Sequence, residues 1–144
     1  MSLEPTTPDL VERLQRFVDA TNAADFDAMA SFCAHDAVYD ARRVGLRLEG
    51  REAIRGFAEQ WSSVYEEVTI EVREGRDLGH GVGFAVLSQR ARLPNTTAWV
   101  QETFPLVGIS SRDGLIQHIA SYLDIDEARA TAERLAQERA QADV

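Results

Sequence analysis

Leu10, Leu14, Phe17 and Val18 recur at intervals of three and four, the spacing that stacks side chains on one face of an α-helix. Thr7, Pro8 and Asp9 stand just before them, a capping hydroxyl followed by a proline suited to a first helical turn. Asn22 and two alanines interrupt this pattern. Asp25 can then cap a second, short helix that turns Phe26, Met29, Ala30 and Phe32 inward. Residues 37–44 read as a strand, with Gly45 and Gly50 bounding a loop behind it. A third helix opens at Arg51 and carries an apolar stripe of Ile54, Phe57, Ala58, Trp61, Val64 and Tyr65.

From Val68 the period falls to two. Turn signals at Gly79-His80-Gly81, at residues 94–97 and at residues 111–114 divide this region into four strands of an antiparallel meander. If residues 94–97 close a tight hairpin, Gln89 faces Glu102, Leu87 faces Phe104 and Ala85 faces Leu106. The next hairpin sets Leu106 opposite Ile119 and Phe104 opposite Ser121. The opposite face carries Phe84, Val86, Trp99, Val107, Ile109, Ile116, His118 and Tyr122. Both faces are substantially apolar, whereas a sheet with one wet side alternates cleanly, so each face needs a cover. Residues 126–142 are rich in alanine and charge, with Leu135 the only large apolar side chain, which predicts a weakly docked helix. The chain therefore divides into a tail (1–9), one domain (10–124) and a C-terminal helical tail (125–144), without internal repeats.

The element order and three local strings resemble the SnoaL-like branch of the nuclear transport factor 2-like superfamily. NAADFDAMASFCAHDAVYD is similar to the family's second helix entering its first strand, EGREAIRGFAEQW to its third helix, and DGLIQHIASYLD to its last strand. The resemblance implies an α+β cone, in which three helices cover the concave face of a curved antiparallel sheet around an internal pocket. It also implies that the Glu102 face lines the pocket and leaves the Val107 face to a second subunit. On that assignment the pocket wall includes Phe17, Trp61, Tyr65, Leu87, Gln89, Phe104, Leu106 and Ile119. A homodimer would then pair through Phe84, Val107, Ile109, Ile116 and Tyr122, because an apolar patch of that extent is uncommon on soluble monomers.

Asp40 matches the general-base aspartate of the related ketosteroid isomerases when DAVYDA is laid on their strand with one deletion. A carboxylate facing an apolar cavity has its pKa raised by desolvation, which suits it to take a proton from carbon. The alternative is an exposed strand-end carboxylate. The isomerases' oxyanion hole, a tyrosine and a protonated aspartic acid, falls on Phe17 and on Leu106, or Pro105 if the turn is aligned differently, and losing both donors disfavours enolate chemistry. Glu102 is the second catalytic candidate, able with Gln89 to hold a substrate hydroxyl or water, or else to form a purely structural pair. Arg90 and Arg92 are placed to stack on Trp99.

Charge and composition narrow the partners. The 144 residues carry 24 acids against 15 bases, a formal charge of -9, which disfavours nucleic acid. The single cysteine, Cys33, allows no disulfide, and the three histidines show no metal-ligand spacing, so no cofactor or metal is expected. No segment has the apolar length of a membrane span, and a cytoplasmic location is expected. These readings leave two functions open. One is binding of a small, mostly apolar organic molecule, with isomerase-, cyclase- or hydrolase-type chemistry at Asp40; the other is a non-catalytic ligand-binding or dimerisation module.

Overall fold

The computed structural model describes residues 10–142, so the helix start at Thr7, Pro8 and Asp9 lies outside the described residues. Three helices, α1 (Leu10–Asn22), α2 (Phe26–Ser31) and α3 (Arg51–Ser63), are followed at the far end of the chain by α4 (Ile125–Ala142). The strands are β1 (Cys33–Ala41), β2 (Leu46–Glu49), β3 (Glu67–Gly79), β4 (Val82–Arg92), β5 (Trp99–Ser110) and β6 (Ile116–Ser121). They form one curved, open sheet in the order β2-β1-β6-β5-β4-β3, antiparallel except where β1 runs parallel to β6.

The local chemistry follows the sequence closely in the helices. Asp25 caps α2 by accepting from the Ala28 amide at 3.1 Å. Leu10, Leu14 and Val18 of α1, Met29 of α2 and Ile54 of α3 are buried against Ala85, Leu87, Phe104, Leu106 and Ile119 of the sheet. In the strands three boundaries move, and β1 begins at Cys33 rather than at residue 37. The first strand ends at Ala41, and residues 42–44 wind into a single 3-10 turn that closes on Gly45 in the left-handed conformation at φ 70°. The loop expected between the glycines contains β2, which pairs with β1.

Between β4 and β5 the predicted register holds, with Gln89 opposite Glu102, Leu87 opposite Phe104 and Ala85 opposite Leu106. Between β5 and β6 Leu106 faces Ser121 rather than Ile119, a slide of two residues that leaves each side chain on its expected face. A bulge then breaks parity, because Ile109 pairs with His118 while Ser110 pairs with Ile116. Ile116, expected on the outer face, consequently sits in the inner core.

The largest departure is α4. Ala128, Ala132 and Ala136 recur every four residues and are buried on the outer sheet face against Val82, Phe84, Val86, Val107, Ala120 and Tyr122. Their small side chains let the helix approach closely, and the sheet supplies the large apolar groups. Arg139 donates to the His80 carbonyl at 2.6 Å, and Asp124 caps the helix by accepting from the Glu127 amide at 3.1 Å. Counting large apolar residues in α4 itself underestimates this docking. Phe84, Val107 and Tyr122 are thus covered within the chain, and the burial argument for a homodimer through them passes to α4. Among the described residues no helix is long and apolar enough to cross a membrane.

Candidate functional site

The three N-terminal helices leave a gap over the concave sheet face, and a cavity of about 170 Å³ lies there. Helices α1 and α3 supply Leu14, Phe17, Phe57, Ala58 and Trp61; the sheet supplies Tyr39, Leu87, Gln89, Phe104, Leu106 and Ile119. Of the residues the sequence suggested for the pocket wall, Phe17, Trp61, Leu87, Gln89, Phe104, Leu106 and Ile119 line this cavity. Tyr65 is not among the lining residues; it packs edge-on against Trp61 with ring centroids 5.5 Å apart.

Neither candidate catalytic carboxylate lines the cavity. In β1, Tyr39 pairs with Leu48 and Ile119, whereas Asp40 pairs with Arg47 and Ala120. Ile119 belongs to the inner core and Ala120 to the cluster under α4, so Asp40 points to the outer face. There its carboxylate lies 3.9 Å from the Arg47 guanidinium. A match made with a one-residue gap lands on Asp40, and in a strand one residue changes the face. His118 shares that outer face beside Asp40; burial pushes its imidazole below the ordinary value, against the opposing pull of the Asp40 charge.

Glu102 is nearly half exposed and is bound by Arg43 rather than by Gln89. Arg43 is a lining side chain that sequence reasoning missed. The 3-10 turn after β1 folds it back over the sheet, where its guanidinium stacks 3.9 Å above the Phe104 ring and its side chain is only 12% exposed. It lines the cavity, pairs with Glu102 through Nη1, and its buried Nε–H has no acceptor among the described residues. The alternation Tyr39, Ala41, Arg43 was visible in DAVYDARR, but the turn that carries Arg43 inward was not.

Tyr39 is the second missed residue. Its phenol is pushed above the ordinary tyrosine value, first by burial, with the Arg43 charge opposing, so it stays protonated and able to donate at neutral pH. Gln89 is 9% exposed and its side-chain amide has no hydrogen bond to a described residue. Thr21 is already engaged, donating to the Phe17 carbonyl at 2.8 Å. The site is an apolar chamber whose polar side chains are Thr21, Tyr39, Arg43, Gln89 and the indole of Trp61, and among the described residues its lining contains no carboxylate or imidazole. Among the described residues no three His, Cys, Asp or Glu side chains gather as metal ligands would.

An open six-stranded sheet with helices over a concave apolar chamber defines a class of pocket proteins, and the family comparison agrees with it. The SnoaL-like domain family matches residues 14–118, and the chain belongs to that family. No curated protein matches the sequence significantly. Among solved structures, a hypothetical protein of Catenulispora acidiphila with a ketosteroid isomerase-like fold, in complex with trimethylamine, superposes with a TM-score of 0.70. It is 15% identical, with 84% of this chain and 92% of that chain covered. A Mycobacterium tuberculosis protein in complex with estradiol-17beta-hemisuccinate also gives 0.70, at 17% identity over 84% of this chain and 97% of its own. An LEH-like epoxide hydrolase of M. tuberculosis gives 0.66, at 17% identity over 86% and 89%. At these identities the likeness is one of fold.

Proposed function

We propose that this protein binds a small, mostly apolar organic molecule in the inner cavity and holds it without acid–base chemistry from Asp40 or Glu102. The observation that carries the reading is the lining itself, an apolar wall with a few polar groups and, among the described residues, no carboxylate or imidazole. Proton abstraction from carbon needs a base within reach of the substrate; Asp40 lies on the outer face beside Arg47, and Glu102, not itself a lining residue, is held by Arg43. The ligands bound by two fold relatives, trimethylamine and estradiol-17beta-hemisuccinate, support a binding role for such a chamber.

Native mass spectrometry of freshly purified protein tests the proposal. A retained small molecule is expected in the wild type, and Ala58→Trp, which fills the chamber from α3, should release it. An equal load on both proteins would place the molecule elsewhere, and a wild type that neither retains nor takes up small apolar compounds would refute the reading. A two-fold homodimer is proposed only through the part of the outer face that α4 leaves open, where Trp99 is 40% exposed. Sedimentation equilibrium at micromolar concentration decides it, since a monomer contradicts it.

A further inference from the structure

The polar groups of the cavity say more about the occupant than its apolar wall does. Arg43 and Gln89 are brought to one stretch of sheet by the register. Glu102 lies directly across from Gln89 and holds the Arg43 guanidinium, while Phe104, two residues further on, lies beneath that guanidinium. Each of the two side chains keeps unused hydrogen-bonding capacity: Glu102 engages only Nη1 of the Arg43 guanidinium, and the amide of Gln89 has no partner among the described residues. Buried polar groups are ordinarily paired, and a donor left bare costs free energy that a suitable partner recovers.

Resting on the ligand-binding reading above, we propose that the occupant is an uncharged compound with an apolar body about the size of one ring and a single carbonyl-type oxygen that accepts from Arg43 and Gln89. Size follows from the room available. The cavity holds about 170 Å³, and an apolar cavity of about 150 Å³ takes one benzene molecule. Neutrality follows from charge. The Arg43 cation is already balanced by Glu102, and the chain as a whole carries a formal charge of -9, so a carboxylate would enter a site with no uncompensated positive charge. The carbonyl follows from Arg43, which presents only donors, while the amide of Gln89 on the same wall can turn its NH2 to the same oxygen.

Three probes of similar size separate the possibilities: acetophenone, ethylbenzene and benzoate, each titrated calorimetrically into the full chain. Arg43→Met and Gln89→Leu should each weaken acetophenone about tenfold, the cost of one hydrogen bond to a buried donor, and leave ethylbenzene within about twofold. Glu102→Gln removes the balancing charge and should improve benzoate relative to acetophenone by about tenfold. Equal losses for acetophenone and ethylbenzene, or none for either, would overturn the carbonyl assignment while leaving the pocket reading intact. Benzoate binding the wild type more tightly than acetophenone would overturn neutrality. If neither acetophenone nor ethylbenzene binds the wild type, the pocket reading fails and this inference falls with it.

Discussion

Replacing Asp40 by asparagine separates a pocket base from a carboxylate on the outer face. Asp40 Oδ2 lies 3.9 Å from Arg47 Nη1, with the side chains 29% and 54% exposed. Unit charges at that separation attract by about 1 kcal/mol in water, and exposed pairs measured in mutant cycles deliver roughly 0.2–1 kcal/mol. Asparagine keeps the shape, so the midpoint of urea unfolding should move by less than about 1 kcal/mol of stability. Ethylbenzene affinity should stay within about twofold of wild type, because Asp40 does not line the cavity. The same substitution acts on His118, whose low imidazole pKa is opposed by the Asp40 charge. Removing that charge should lower the His118 pKa further in an NMR titration of its ring resonances. A loss of about tenfold or more in ligand affinity, or a His118 titration that does not move, would refute the placement of Asp40 on the outer face.

Other outcomes follow from the same structure. His118 titrates below its ordinary value when folded, so the unfolded chain binds the proton more readily; the stability contribution is present above pH 6.5 and lost as pH falls through the folded pKa. Urea midpoints measured from pH 7.5 to 5 should show that decline, and His118→Asn should flatten it. Ala132→Glu places a charge on a fully buried position of α4, and a cost of about 3 kcal/mol, lowering the thermal midpoint by roughly 10 °C, is expected. A near-neutral result would mean that the helix is loosely docked. Burial lifts the Cys33 thiol to about 11, so it should resist a thiol reagent at pH 8 in the native protein and react once urea unfolds it.

Helix faces and the β4–β5 register were legible because each rests on a local period tied to a short turn. Leu10, Leu14 and Val18 give their face by spacing alone, and the hairpin at residues 94–97 fixes the pairing of Gln89 with Glu102. What local rules do not contain is the way distant segments share a surface. The alanines of α4 look like weak packing until the large side chains of β4 and β5 are placed beneath them. The bulge that turns Ile116 inward leaves no mark in the alternation. In the site, the apolar wall was readable from strand parity, whereas Asp40 and Tyr39 differ by one residue and stand on opposite faces of β1. Arg43 keeps the parity of Tyr39 and Ala41, and it joins the cavity wall from the 3-10 turn that follows the strand.

The central claim is that the inner chamber takes a small apolar molecule, and methyl-resolved NMR during an ethylbenzene titration tests it most directly. The chamber is lined by methyl-bearing Ile54, Leu87, Leu106 and Ile119, while Val82 and Val107 lie beneath α4 on the other side of the sheet. Saturable shifts are expected at the first four, with the two valines still. Shifts confined to the valines, or an unchanged spectrum up to the solubility of the probe, would contradict the claim.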